Sequence, residues 1–193
     1  MIFKRNIIWL SLFAIAMAHV EAVLVVHLRT IYYPGNPLNI FPLELMSYRV
    51  LGIELAREFF TVVMILAVAV LAEKDAGKGF TRIFSAFVFV FGLWDIFYYI
   101  WLKLMIGWPV SWFEWDVLFL IPWPWFGPWI APVLIALLFV LWGGRVLLMK
   151  NDVRFTRRTV LLFILGVILA LVAFLQPAVP LLIEGEEAFG HFQ

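Results

Sequence analysis

Five stretches of this 193-residue chain are each long and apolar enough to cross a bilayer, and this feature limits its possible folds most. A helix rises about 1.5 Å per residue, so about 20 apolar residues span the hydrocarbon core. The stretches cover residues 6–28, 45–72, 80–106, 129–149 and 155–176. Because the remaining sequence is too short to form another core, we predict an all-α integral membrane protein with five transmembrane helices in one domain, residues 1–193.

Composition excludes several other classes of protein. The chain is 65% hydrophobic and 14% charged, whereas a soluble domain is about 45–50% apolar and about 25% charged. Its net charge of +1 provides no basic surface for phosphates, so we expect no nucleic-acid partner. It has no cysteine, which excludes disulfides, iron–sulfur clusters and Cys-ligated metals. The lipid bilayer is therefore its expected environment.

The positions of basic residues predict the orientation. They flank the start of the first stretch and the two connections after the second and fourth stretches, whereas the other connections contain almost none. These residues are Lys4, Arg5, Lys74, Lys78, Arg82, Arg145, Lys150, Arg154, Arg157 and Arg158. Since basic loops stay in the cytoplasm, we predict a multi-pass protein of the cell (inner) membrane. Its N-terminus would be cytoplasmic and its C-terminus outside.

The start of the chain also has features of a secretory signal. A basic pair, an apolar run and the small residues Ala16 and Ala18 are typical of a cleavage site after Ala18. However, the apolar character continues through residues 20–26. We therefore expect an uncleaved first helix.

The connection at residues 107–128 is unusually aromatic and is predicted to lie outside the cell. Ser111 and Glu114 have the spacing of a helix capping box, and an apolar run follows until Pro122. We predict a short amphipathic helix in the outer interface between the third and fourth transmembrane helices. It would act as an aromatic belt or as a lid, with Trp112 and Trp115 near the mouth of any cavity.

Ionisable residues are concentrated in the first three stretches. Each costs about 2.5–3.5 kcal/mol at the centre of a bilayer, so it normally faces the protein interior, forms a pair or has a function. The residues are His19, Glu21, His27, Arg29, Glu54, Arg57, Glu58 and Asp95. The fourth and fifth stretches have nothing comparable between their ends. We expect the first three helices to enclose a polar site in the outer half of the bilayer.

Helical spacing predicts which of these side chains converge. At about 100° per residue, Glu54 and Glu58 share one face of the second helix, with Arg57 at its edge. Asp95 and Tyr99 share a face of the third helix. We predict that Glu54, Glu58, Asp95 and Arg57 form a catalytic group at the interior of the bundle.

The first hypothesis is a metal-dependent enzyme that acts on a lipophilic small molecule. Imidazole and carboxylate ligands suit iron, manganese, copper or zinc, and facing helices of a bundle can build such centres. The candidate ligands are His19, Glu54, Glu58 and Asp95, with Glu21 and His27 as alternates. Two observations oppose it: one straight helix cannot aim both histidines and Glu21 at one point, and no Glu-x-x-His pair is present. Haem is disfavoured because both histidines lie on one helix.

Two alternatives remain open. One is a metal-free binding or carrier site for a quinone, isoprenoid or lipid, where the carboxylates handle protons and a pocket lies beside Arg57. Its ligand-contacting residues would be Arg29, Tyr98, Tyr99, Trp112 and Trp115. The other is a non-catalytic subunit that docks on a membrane protein or on its own copy through the fourth and fifth helices. In that case arginines pair with every carboxylate and no cavity remains.

Overall fold

The fold comes from a computed structural model that describes residues 2–36, 38, 46–73, 79–149, 153 and 155–180. Five α-helices follow the five apolar stretches. They are α1 Ile2–Tyr32, α2 Tyr48–Glu73, α3 Phe80–Ile106, α4 Ile130–Leu148 and α5 Arg157–Leu175. Two strands, β1 Trp115–Phe119 and β2 Trp125–Pro128, lie between α3 and α4. A 3₁₀ turn, Gln176–Ala178, follows α5.

Among the described residues, all five helices are long and apolar enough to span a membrane, as the sequence predicted. Local signals fix several of their ends. α3 ends at Gly107, whose φ of 76° is left-handed and whose N–H donates to the Lys103 carbonyl oxygen. α5 begins after Thr156, whose side chain accepts a hydrogen bond from the Thr159 N–H.

The orientation of the chain in the bilayer stays a prediction. Several of the basic residues behind it lie outside the described residues, namely Lys74, Lys78, Lys150, Arg154 and the side chains of Lys4 and Arg5. Among those basic residues whose side chains the structure describes, Arg82 differs from the others because it is buried inside the fold, where it is 1% exposed.

α3 is the central helix of the bundle. It packs extensively against α1 and α4 and less against α2. Glycines allow the close approach to α4: a Cβ on Gly92 would lie 2.5 Å from the Ala136 carbonyl oxygen, and one on Gly143 would lie 2.6 Å from that of Ser85. Small residues at such contacts are typical of helix pairs in membranes, where close van der Waals packing drives association.

α1 meets α3 through a row of alanines. Ala14, Ala18 and Ala22 recur every four residues and are fully buried. Ala14 belongs to a buried cluster that contains Phe89 of α3, and Ala22 belongs to a second cluster that contains Tyr99 of α3. The alanine row therefore fixes which face of α1 points to the interior.

α5 contributes no buried residue within its described range. Its ring contacts include Phe163 against Phe84, at 5.6 Å between centroids, and Phe174 against Trp125, at 6.2 Å. The largely open surface of α5 agrees with apolar support or a docking face, and both roles stay predictions.

Arg82 links three helix ends at the end of the bundle opposite the hairpin, namely the end of α2, the start of α3 and the end of α4. Its Nε donates to Glu73 Oε2 at 2.8 Å, and its two Nη atoms donate to the carbonyl oxygens of Val146, Leu147 and Met149 at 3.3, 3.0 and 2.9 Å. These carbonyls belong to the end of α4, where the last carbonyl oxygens of a helix lack intrahelical N–H donors and carry a partial negative charge. The buried guanidinium therefore supplies both donors and charge at this point.

The predicted amphipathic helix in residues 107–128 is wrong, because this segment forms the β1–β2 hairpin. The capping interaction itself is present: Glu114 accepts hydrogen bonds from the N–H groups of Val110 and Ser111 at 2.6 and 3.1 Å. It closes a turn but does not start a helix. The residues after it are aromatic and branched side chains that favour strands, and they pair with β2.

The hairpin turns one face towards the helices. Asp116 is paired with Gly127, and both are buried together with Phe126. The N–H of Trp129 donates to the Glu114 carbonyl oxygen at 3.0 Å, which closes the base of the hairpin. This packing brings one polar side chain, Asp116, inside the protein.

Candidate functional site

A cavity of about 280 Å³ lies between α1, α2, α3 and the hairpin. α1 and α2 contact each other little although both pack on α3, so a space remains between them at the hairpin end. Seven charged residues of the described part of the chain line the cavity. They are Glu21, Arg29, Glu54, Arg57, Glu58, Asp95 and Asp116.

Arg57 links α1 to α2 at one side of the cavity. Its Nε donates to Glu54 Oε2 at 2.7 Å, one helical turn away, and its Nη1 donates to Glu21 Oε2 across the helix pair. The second oxygen of Glu21 accepts from the Thr61 hydroxyl at 2.5 Å. The guanidinium thus has two carboxylate partners, and both Glu21 oxygens have a donor.

Arg29 and Asp116 form a second ion pair, between α1 and the hairpin. Arg29 Nη2 lies 3.1 Å from Asp116 Oδ1, with both side chains about 5% exposed or less. The Tyr99 hydroxyl donates to Asp116 Oδ2 at 3.2 Å, and Arg29 Cζ lies 3.9 Å above the Trp108 ring. Burial raises the pKa of Asp116, while Arg29 and the Tyr99 hydrogen bond oppose this rise.

Glu58 connects α2 to the turn of the hairpin. Its Oε2 accepts a hydrogen bond from the Leu120 N–H at 2.9 Å, and this is its only hydrogen bond among the residues that the structure describes. Unlike Glu21 and Glu54, Glu58 has no ion pair within these residues. One of its oxygens therefore remains available to the cavity.

Asp95 lies on the α3 side of the cavity. Its Oδ2 is buried and has no hydrogen-bond partner in the described part of the chain. Asp95 also forms no ion pair there, since the arginines of the cavity pair with Glu21, Glu54 and Asp116. The indole N–H of the neighbouring Trp94 is likewise buried without a partner. The cavity wall thus contains polar groups that the described fold leaves unsatisfied.

The structure brings together most of the residues predicted from helical spacing. Those that line the cavity are Glu21, Arg29, Glu54, Arg57, Glu58, Asp95, Tyr98 and Tyr99. Their common location agrees with the predicted polar interior of the first three helices. Trp112 and Trp115 do not share it: both are exposed, and Trp112 stacks on Trp129 at 5.9 Å.

Both histidines proposed as metal ligands point away from the cavity. His19 is exposed and meets the Trp101 ring edge-on at 4.8 Å. His27 is also exposed, with its Nδ1 2.7 Å from the Val23 carbonyl oxygen. In residues 2–36, 38, 46–73, 79–149, 153 and 155–180, no group of three or more His, Asp or Glu side chains could hold a metal ion. The predicted ligand set is therefore not assembled.

Sequence reasoning missed Asp116 as a site residue. It was placed in the expected interfacial helix, where a single carboxylate would face solvent. A signal was present, because Asp116 is the only charged residue between Trp115 and Trp129 in a segment that is otherwise apolar or proline-rich. A lone carboxylate in such a segment needs a partner, and Arg29 supplies it.

The charges that line the cavity do not balance. Among the described lining residues, five carboxylates face two guanidinium groups, an excess of three negative charges if all are ionised. Two of these carboxylates, Glu58 and Asp95, have no arginine partner among the described residues. This imbalance is the main electrostatic property of the site.

The described residues form five apolar helices, and three of these helices with the hairpin enclose an acidic, partly aromatic cavity; this defines a membrane-embedded α-helical protein with an internal cavity. Comparisons of the chain with models of known families, with curated proteins and with solved structures gave no significant match. A function therefore has to be inferred from the cavity itself.

Proposed function

We propose that this protein binds a lipophilic small molecule in the cavity beneath the hairpin. The observation that carries the proposal is the space of about 280 Å³ beside Arg57. This volume is close to the lower end of the range of about 300–1,000 Å³ for small-molecule sites. A binding site of this type is one of the alternatives that the sequence left open.

The lining of the cavity is amphipathic, which suits a molecule with an apolar body and a polar head. Apolar side chains from three elements contribute, including Val25 of α1, Leu51 of α2 and Phe126 of β2. The charged groups and Tyr98 supply the polar part. Ligand sites are commonly built from a mainly apolar wall with a few placed polar groups.

The other two hypotheses have less support. A metal-dependent enzyme would need converging ligands, but His19 and His27 are exposed and the described residues contain no candidate cluster. A purely structural subunit would have every carboxylate paired and no cavity. Asp95 is unpaired among the described residues, and a cavity is present.

We further infer that the cavity faces the outer half of a cell (inner) membrane. This inference rests on the basic residues that are predicted to keep the opposite ends of the helices in the cytoplasm. A lipophilic molecule would then reach the cavity from the outer leaflet or from outside the cell. α1 and α2, which contact each other little, border this space.

The test is to look for a bound molecule by native mass spectrometry of protein purified in mild detergent. Val25→Trp fills the cavity, whereas Val20→Trp adds the same ring to an exposed position of the same helix. We expect a small-molecule adduct in the wild type and in Val20→Trp, and its loss in Val25→Trp. An adduct retained equally by both variants would contradict binding in this cavity.

A further inference from the structure

We propose that the polar head of the ligand is a protonated amine, held by the carboxylates of Glu58 and Asp95. This inference rests on the proposed function, because it specifies which lipophilic molecules the cavity would select. It follows from the partners of each charged group, from one buried oxygen and from the neighbouring rings.

The arginines of the cavity are already committed to other carboxylates. Arg57 donates to Glu54 and Glu21, and Arg29 donates to Asp116 while it lies over the Trp108 ring. Among the described residues, neither arginine lies within ion-pair distance of Glu58 or Asp95, although Arg57 attracts Glu58 at longer range. An incoming positive charge would therefore meet two carboxylates that are not held in an ion pair by either arginine.

Asp95 provides an independent observation. Asp95 lines the cavity, and its Oδ2 is buried and accepts no hydrogen bond from the described residues. A buried polar atom without a partner is costly, and more so when it carries charge. A protonated amine supplies both what the oxygen lacks, a donor, and what the carboxylate lacks, a positive charge. Glu58, with one bond to the Leu120 N–H, has a further acceptor oxygen.

Aromatic rings line the same cavity as these carboxylates. Trp94 and Tyr98 are stacked with 6.5 Å between centroids, and Tyr98 meets Tyr99 edge-on at 5.0 Å. All three residues line the cavity. Ring faces attract cations, so carboxylates and rings together favour an ammonium group over a neutral or anionic head.

One hydrogen-bond donor in the site would favour an anionic head instead of an ammonium group. Arg29 Nη1 is buried without a hydrogen-bond partner in the described fold, so it could serve an anionic head. However, Arg29 already pairs with Asp116, and the described lining residues include five carboxylates against two guanidinium groups. An anion would therefore enter a region of net negative charge, which opposes its binding.

The experiment compares decylamine, 1-decanol and decanoic acid, which share one chain and differ in the head. Binding is followed by quenching of tryptophan fluorescence in neutral maltoside micelles at pH 7, where an alkylamine is protonated. We expect decylamine to bind at least about tenfold more tightly than decanol, the factor that one charge-assisted hydrogen bond provides. Decanoic acid should bind most weakly.

Variants of the two carboxylates distinguish recognition of the amine head from binding of the alkyl chain. Glu58→Gln and Asp95→Asn should each remove most of the amine's advantage while decanol binds as in the wild type, which also shows that the cavity is intact. The matched control is Glu114→Gln, which removes a carboxylate that does not line the cavity and keeps an acceptor oxygen. This control should retain the preference for decylamine.

The outcomes distinguish the two proposals. Equal binding of the amine and the alcohol, or tighter binding of the acid, would overturn the amine head and leave the lipophilic site. If none of the three probes binds, the proposed function fails as well. If butylamine competes as well as decylamine, the amine site is supported and the lipophilic ligand is overturned. Displacement by magnesium ions alone, with no preference among the organic heads, would overturn the amine in favour of an inorganic cation.

Discussion

Replacing Arg82 by leucine should destabilise the protein more than any surface change at the same end of the bundle. The side chain is 1% exposed and its partner Glu73 is 2% exposed. The substitution leaves the Glu73 carboxylate buried without its cation and removes three donors from the end of α4. Breaking a buried ion pair by removing one partner costs about 3–5 kcal/mol of unfolding free energy.

The size of this effect follows from the unpaired charge and not from lost packing, because leucine fills much of the same volume. The double variant Arg82→Leu, Glu73→Leu should therefore recover part of the loss, since a buried pair replaced by apolar groups is often neutral or better. Of the wild type, the single variant Arg82→Leu and the double variant, the single variant should be the least stable. This order separates an electrostatic effect from a steric one.

The assay is thermal unfolding in mild detergent, followed by the fluorescence of the ten tryptophans. For a chain of this size, about 1 kcal/mol corresponds to about 2–4 °C, so the expected fall in Tm is about 6–20 °C. Arg145→Leu is the matched control, because Arg145 is exposed in the last turn of α4. Equal Tm values for Arg82→Leu and Arg145→Leu would refute the reasoning.

Three further predictions concern the helix contact, the orientation and the hairpin. Gly143→Ala places a Cβ 2.6 Å from the Ser85 carbonyl oxygen, so the unfolding free energy should fall by about 1–3 kcal/mol, whereas Gly166→Ala, which has nothing within 4 Å, should leave Tm unchanged. Ser111→Cys, in a chain without cysteine, should react with a membrane-impermeant maleimide on intact cells; labelling only after permeabilisation would reverse the predicted orientation. Asp116→Leu should speed amide hydrogen exchange in β1, and unchanged exchange would show that its ion pair does not hold the hairpin.

The five helices could be predicted because the signal is local. In a bilayer every span must satisfy its own backbone hydrogen bonds, so a long apolar stretch has few alternatives to a helix. Gly107 and Thr156 also mark helix ends by local chemistry. No knowledge of distant contacts is needed for these elements.

Part of the site could be predicted for the same reason. Glu54 and Glu58 share a helical face, and both line the cavity. The spacing did not reveal that His19 points outwards, because this depends on how α1 is rotated against α3. Ala18 and Ala22 are both buried, and this rotation of α1 leaves the intervening His19 on the exposed side.

The hairpin could not be predicted from local signals. The pair Ser111 and Glu114 has the spacing of a helix start, and the capping hydrogen bond does form. What decides the conformation is the pairing of β1 with β2 and the packing of both on the helices. These are contacts between distant residues, such as Arg29 with Asp116, which are separated by 87 positions.

The pairing of charges shows the same division between local and distant information. The Glu54–Arg57 pair follows from spacing within one helix, since residues three apart are neighbours on its surface. The partner of Arg29 depends on where the hairpin lies. The sequence identifies Asp95 as a candidate, but Asp95 can be recognised as unpaired among the described residues only after both arginines have been assigned to other carboxylates. The property on which the proposed ligand selection depends most is therefore visible only in the assembled fold.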